Sequence, residues 1–254
     1  MAWTERQQAM LDAMGLRLWV PPVLDVASEA VEVAPVSAPL AAAPAVITPA
    51  VRARADIAAL DWPSLRTAVA GCTACGLCQS RTQTVFGVGH PRAQWLVVGE
   101  APGAEEDAQG EPFVGASGQL LDRMLAALQL TRSSEGDAPP SQRVYIANTL
   151  KCRPPRNRNP SIEEMAQCEP FLVRQIELLQ PRIILAMGKF AVQALLRSDE
   201  PIGKLRGRVH RYQGVPLVVT YHPAYLLRSL QEKAKAWEDL CLAADVAEGA
   251  DRPS

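Results

Sequence analysis

Four short apolar runs mark the later part of the chain: Trp95-Leu-Val-Val-Gly99, Val144-Tyr-Ile-Ala-Asn148, Arg182-Ile-Ile-Leu-Ala-Met187 and Leu217-Val-Val-Thr-Tyr221. Their cores do not alternate apolar with polar positions, so each reads as a strand buried on both faces. Helical spacing fills the gaps between them. Leu120, Leu121, Met124, Leu125 and Leu128 mark one face of a helix over 117–130. Ser161 and Glu164 have the spacing of a capping box, which starts a second helix. Gly188 turns the third strand into a helix over 189–197, and another is expected from about 226 to 242. Pro170 is expected to break the helix that Ser161 starts and to open a new one as its first residue. Strands separated by helices predict an α/β fold: right-handed crossovers and a parallel sheet covered on both faces. Ligands of such sheets sit at the carboxyl ends of the strands. Here those ends are Gly99-Glu100, Asn148, Met187-Gly188 and Tyr221-His222.

The pattern is different before residue 56. Met10, Leu11, Met14, Leu16 and Leu18 give residues 1–20 the look of a short amphipathic helix ending at Trp19. Pro21, Pro22, Pro35, Pro39, Pro44 and Pro49 then punctuate an Ala- and Val-rich stretch. Prolines at that density oppose both helix and sheet, so 21–55 reads as a semi-extended linker. A helix is expected near Asp56 and another after Asp61-Trp-Pro-Ser64. The expected organisation is a helical segment at 1–20, a linker at 21–55, one domain at 56–246 and a disordered tail at 247–254.

Composition changes this picture little. The chain of 254 residues is 48% hydrophobic and 5% aromatic, so aliphatic residues must fill most of the core. The formal net charge is −1, and any nucleic-acid footprint would therefore have to be local. No run of 18 apolar residues occurs, and the N-terminal stretch lacks an apolar secretory core, so a cytoplasmic protein that does not enter a membrane is expected. Six cysteines in such a chain point to metal binding or buried thiols rather than disulfides.

Cys72 and Cys75 form a Cys-x-x-Cys pair, with Cys152 and Cys168 far downstream. Four thiolates can wrap one metal centre if the fold joins the pairs, and spacing alone leaves zinc and iron–sulfur both open. Cys78 extends the first pair toward a ferredoxin-like run. Gly99-Glu-Ala-Pro-Gly103 is a Gly/Pro loop after a strand, where backbone can approach a ligand closely, but no phosphate-binding Gly-Lys-Ser/Thr follows it. Asn148 ends a strand with an amide able to read a hydrogen-bonding edge, or to cap. His222 follows the last strand, and Tyr225-Leu226-Leu227 before Arg228 could wedge into stacked bases or begin a packed helix. Two basic clusters, Lys151, Arg153, Arg156 and Arg158, then Lys204, Arg206, Arg208 and Arg211, could contact phosphates or lie in solvated loops.

In their order along the chain, Cys-x-x-Cys with Arg81-Thr82-Gln83, GEAPGAEED, GEPFVG, Asn148, KCRPPRNRNP, Cys168 and YHPAYLLR resemble the family 4 uracil-DNA glycosylases over roughly residues 70–242. The resemblance implies a three-layer α/β/α sandwich with a four-stranded parallel sheet. It also implies a four-iron, four-sulfur (4Fe-4S) cluster on Cys72, Cys75, Cys152 and Cys168, with Cys78 and Cys241 spare. It assigns Glu100, Ala101, Glu106, Phe113, Asn148 and His222 to a uracil pocket. There Phe113 would offer a face to the flipped ring, Asn148 would read N3 and O4, and Glu106 would crowd the C5 edge. His222 would donate to O2, and Glu100 would stabilise the cationic sugar or orient water.

Other glycosylase families place an Asp where this chain has Ala101, which leaves the water-activating group open. Residues 151–160 hold no His of the kind that traps uracil-DNA covalently in some relatives, so turnover is expected. The expected DNA contacts are Lys151, Arg153, Arg156, Arg158, Lys204, Arg206, Leu226, Leu227 and Arg228. The expected partner is uracil-containing DNA, single- or double-stranded, bound by a monomer. A non-catalytic iron–sulfur DNA-binding or redox-sensing module, and a zinc-bound structural domain, are the alternatives. Over about a dozen residues the stretch from Gln8 to Val20 resembles the N-terminal peptide of the psi subunit of the bacterial clamp loader. The segment 3–20 is accordingly expected either to dock replication machinery or to pack on its own domain.

Overall fold

The fold is that of a computed structural model, which describes residues 56–249. The expected segments at 1–20 and 21–55, and most of the tail, lie outside the described residues.

Helix α1 (Trp62–Ala70) begins where the Asp61 side chain accepts from the Ser64 N–H at 2.9 Å. Strand β1 (Val88–Gly89) is a two-residue edge. Then come β2 (Trp95–Gly99), α2 (Ala104–Gln109), α3 (Ala116–Ala127), β3 (Val144–Asn148), α4 (Ile162–Leu179), β4 (Ile183–Met187) and α5 (Lys189–Leu196). The chain ends with α6 (Ile202–Leu205), β5 (Val209–Tyr212), β6 (Val215–Thr220), α7 (Pro223–Leu226) and α8 (Lys233–Gly249). The sheet order is β1-β3-β2-β4-β6-β5. The four expected strands form its parallel centre, β3-β2-β4-β6. The sheet is six-stranded and mixed because β1 adds antiparallel to β3 and β5 antiparallel to β6.

Alternation along the strands explains the layers. Leu96, Val98, Tyr145, Ala147, Ile184, Ala186, Leu217 and Val219 pack on Leu172 and Ile176 of α4 and on Ala191 and Val192 of α5. The intervening Val97, Val144, Ile146, Ile183, Leu185 and Val218 pack on Leu121 and Leu125 of α3 and on Leu240 and Ala243 of α8. Neither face is open to water, which is why the strands read as unbroken apolar runs.

Two sequence expectations are corrected. Pro170 does not break α4, which runs unbroken through it. An interior proline costs about 3 kcal/mol, and the helix sets against this the burial of Phe171, Leu172, Gln175, Ile176 and Leu179. The reciprocal Ser161–Glu164 capping box at its start is present as read. The expected helix over 226–242 is two helices, α7 and α8, separated by a short 3-10 turn at Leu230–Glu232.

Phe113 has a left-handed backbone, φ 56°, uncommon for a bulky residue. It is held there by the first turn of α3: a Cβ on Gly118 would lie 1.8 Å from the Phe113 carbonyl oxygen. Gly118→Ala must therefore push the Phe113 loop away, at about 1–3 kcal/mol. A thermal melt should show a clearly lowered midpoint, and an unchanged midpoint would mean that this approach is not tight.

Candidate active site and cysteine-lined cavity

The parallel register places Gly99 opposite Asn148 and Met187 opposite Thr220, so the residues after β2, β3, β4 and β6 meet in one crevice. A cavity of about 230 Å³ opens there. Its walls include Glu100, Ala101, Glu106, Phe113, Asn148 and His222, so all six residues of the expected pocket come together. Asn157, Arg158 and Pro154 from the 151–160 loop complete the rim.

Asn148 is 3% exposed, and its Oδ1 is buried with no hydrogen-bond partner. A buried amide oxygen left unpaired costs about 1–3 kcal/mol, and a ligand N–H would relieve that cost. Gly99 leaves the room: a Cβ there would stand 2.5 Å from Asn148 Oδ1 and 2.6 Å from Phe113 Cζ. The Phe113 and His222 rings stack with centroids 5.3 Å apart.

Glu106 acts on the backbone in a way that the sequence reading did not assign. Its Oε1 accepts from the Val114 and Gly115 N–H groups at 3.0 and 3.3 Å, and its Oε2 from the Gly103 N–H at 3.1 Å. One carboxylate thus ties the loop after β2 to the loop that carries Phe113. The Glu spacing relative to Gly103 within GEAPGAEED was the available sign, because Glu106 sits at the third position of α2.

His222 Nδ1 accepts from the Ala224 N–H at 3.2 Å. Its proton must then sit on Nε2, leaving that N–H free to donate. Burial pulls the imidazole down to about 4, the nearby Arg228 charge adds to this, and the Glu106 charge opposes it. Burial raises the Glu100 carboxyl.

A larger cleft of about 580 Å³ shares Glu100, Ala101, Asn157, His222 and Ala224 with the pocket. It adds Lys189, Tyr221, Tyr225 and Arg228. Lys189 went unassigned in the sequence because it belongs to no recognisable motif, its place two residues past the end of β4 being the hint; Asn157 sits inside the KCRPPRNRNP stretch, where only the cations were singled out.

Several expected DNA contacts are corrected. Lys151 is 1% exposed and donates from Nζ to the Asn148 carbonyl at 2.8 Å and to Gln175 Oε1 at 2.6 Å, so it reaches no phosphate. Arg206 is held by Asp239, Glu238 and the Lys235 carbonyl. Leu226 is 1% exposed and packs inward, which leaves Tyr225 and Leu227, at 39% and 42%, as the exposed apolar tip. Arg153 donates to Asn157 Oδ1 within its loop, and Arg158 forms a bidentate pair with Glu164. Arg156, Lys204 and Arg228 are exposed.

Cys72, Cys75, Cys78, Cys152 and Cys168 line one small cavity, together with Val69, Leu77, Leu150 and Phe171. Arg81 Nη1 lies 3.1 Å from Cys152 Sγ, and the Lys151 N–H lies 3.2 Å from Cys168 Sγ. Burial pushes the Cys168 thiol up to about 12, against the pull of the Lys151 charge and N–H. Burial likewise raises Cys152 and Cys75. Among the described residues, no three His, Cys, Asp or Glu side chains converge on a point where they could hold a single ion.

A sheet closed at its carboxyl ends by these loops defines an α/β protein with a small-ligand cavity at its strand ends. The family model described as "Uracil DNA glycosylase superfamily" matches residues 86–241. The type-4 uracil-DNA glycosylase of Archaeoglobus fulgidus is 41% identical over 167 residues, covering 63% of this chain and 79% of that one. The type-4 enzyme of Pyrobaculum aerophilum is 40% identical over 193 residues, covering 72% and 93%. That of Thermotoga maritima is 41% identical over 160 residues, covering 62% and 79%. The chain belongs to the uracil-DNA glycosylase superfamily and, within it, to the type-4 family. No helix among the described residues is long and apolar enough to cross a membrane.

The pH dependence follows from His222. Its native value, about 4, lies below the ordinary 6.5, so below pH 6.5 the unfolded chain binds more protons. The stability this group contributes is present above pH 6.5 and is lost as pH falls from 6.5 through 4. The ring is partly accessible through the cavity, so about 3 kcal/mol is the ceiling. Denaturant unfolding of His222→Gln should be flatter than wild type across that window. Parallel curves would show that the imidazole does not titrate low.

Proposed function

We infer that this chain is a monofunctional uracil-DNA glycosylase of base excision repair, which releases free uracil and leaves an abasic site. The observation that carries this reading is the unpaired, buried Oδ1 of Asn148 beside Phe113 and His222 in a cavity of base size. A uracil base is inaccessible within a duplex and must be turned out to reach such a site. Asn148 Oδ1 accepts from N3–H, and the same amide donates to O4. Phe113 supplies the ring face. Glu106, through the backbone it holds, closes the side that faces C5 and so excludes a methyl group there.

Hydrolysis breaks the bond between C1′ and N1, with its electron pair leaving on uracil, and forms a bond from water oxygen to C1′. The proton lost by water balances the one that uracil takes up on release. Neutral His222 donates from Nε2 to the charge that grows on O2. Glu100 stabilises the cationic sugar and orients the water. Ala101 brings no acid of its own to this wall. The lysine nearest the chemistry among the described residues, Lys189, lines the neighbouring cleft and not the base pocket, which favours a reading without a Schiff-base lyase step. The neighbouring cleft, with Lys189, Arg228, Tyr221 and Tyr225, suits the flanking strand: two cations for phosphates and two rings for stacking.

The cysteine cavity suits an iron–sulfur cluster on Cys72, Cys75, Cys152 and Cys168. Its donors are thiols, and two N–H groups point at their sulfurs. When bound, the cluster would brace the 151–160 loop against DNA and take no part in bond breaking. We read the protein as cytoplasmic and monomeric, with residues 3–20 as a tethered docking peptide for replication machinery. Deleting residues 1–50 should leave the melting midpoint and uracil release unchanged and abolish binding to the replication machinery. Lost thermal stability without any lost partner would overturn the docking reading.

Incubation with uracil-containing single- and double-stranded oligonucleotides, followed by alkali, should cleave both at uracil. Asn148→Ala should lower kcat/KM about ten- to a hundredfold. An inactive wild type would refute the function, and full activity in both Asn148→Ala and His222→Ala would refute the site.

A further inference from the structure

Lys151 is buried, lines the cysteine cavity and hydrogen-bonds the pocket residue Asn148, and no role above uses it. Its backbone is fixed on each side: the N–H donates to Cys168 Sγ, and the carbonyl accepts from the Val85 N–H at 2.8 Å. Its side chain turns back to the carbonyl of Asn148, the residue that carries the unpaired Oδ1. The side chain's second partner, Gln175, is fully buried and is itself held, its Nε2 donating to the Phe86 carbonyl at 2.9 Å and to the Tyr145 hydroxyl at 3.4 Å. The ammonium is therefore held by two fixed neutral acceptors.

A buried ammonium held by neutral acceptors alone is costly and calls for an anion. Among the described residues Lys151 pairs with no carboxylate, and it lines the same cavity as Cys168 and Cys152. Both belong to the cavity that, on the reading above, holds a thiolate-ligated cluster. A centre of that kind is negatively charged and would supply the missing anion.

We propose that Lys151 is a positioning residue that couples the two sites. Its ammonium is the counter-charge of the thiolate-held centre, and its hydrogen bond to the Asn148 carbonyl sets the end of β3 from which Asn148 reads uracil. The proposal rests on the cluster reading, and the experiment separates the two. Iron and acid-labile sulfide are measured first in wild-type protein; their absence overturns the cluster reading and this coupling together.

With cluster present, Lys151→Met and Lys151→Gln are compared for cluster reduction potential and for inhibition by free uracil. Removing a positive charge beside the cluster disfavours its reduced form, so both variants should have a lower potential than wild type. Lys151→Met should also bind free uracil about ten- to a hundredfold more weakly, the loss expected for a hydrogen bond from a charged group. Lys151→Gln keeps an amide donor and should lose less. A merely structural lysine would not move the potential in a defined direction. A wild-type potential in both variants, or wild-type uracil inhibition in Lys151→Met, overturns the coupling while leaving the cluster reading intact. If Lys151→Met does not accumulate as folded protein, Lys151→Gln decides alone on the same two readouts.

Discussion

The parallel register that sets Gly99 beside Asn148 is the constraint on which the pocket depends. It brings the ends of two strands level, so that the loop from Glu100 and the side chain of Asn148 face one space. It also leaves no room between them. Asn148 Oδ1 and the Phe113 ring both lie where a side chain on residue 99 would stand, so a glycine is needed there. Phe113 is held in turn from behind by Gly118 and through its neighbours by Glu106. The strain of its left-handed backbone is thus confined by contacts that all converge on the same residue. A slip of one residue between β2 and β3 would turn Asn148 to the opposite face and dismantle the whole set.

The parts of this fold that were legible in the sequence are those that burial writes plainly. Four strands covered on both faces leave four apolar runs, and the Ser161–Glu164 cap leaves its spacing. The edge strands left no such mark. Val88–Gly89 is two residues long, and Val209–Tyr212 alternates exposed and half-buried positions with charge among them. Pro170 misled because a local rule was applied to a helix whose inner face is deeply buried. Charge misled in the same way. Lys151 and Arg206 look like phosphate contacts in a string of letters, yet one is enclosed by Asn148 and Gln175 and the other by Asp239 and Glu238. Spacing along the chain shows where a cation is, but not whether its charge is already committed.

The 151–160 loop shows what that commitment achieves. It is fixed at one end by the Lys151 N–H on Cys168 and at the other by Arg158 on Glu164, so both ends are tied to α4. Between them Arg156 and Asn157 adopt successive left-handed conformations, φ 55° and 53°, which non-glycine residues seldom do. Such a backbone persists when its flanks are over-determined. The result places Asn157 on the rim shared by the pocket and the cleft and leaves Arg156 exposed to solvent. On the proposed reading, the cysteine cavity stabilises the base of this loop so that its tip can stay strained next to DNA.

The two groups proposed to carry the chemistry are shifted by one cause with opposite consequences. Burial favours the neutral form of each: it lowers His222 and raises Glu100. For His222 the neutral form is the useful one, because its tautomer is already set by the Ala224 N–H and its remaining N–H can donate. For Glu100 the useful form is the anion, which burial disfavours. That penalty falls when a positive charge develops on the sugar beside it, and a developing cation is a property of the transition state, not of bound uracil-DNA. The carboxylate therefore interacts more strongly with the transition state than with the ground state, which is the condition for an interaction to raise the rate instead of merely tightening binding. The same apolar surroundings that make Glu100 expensive to ionise are what make it selective for the moment of bond breaking.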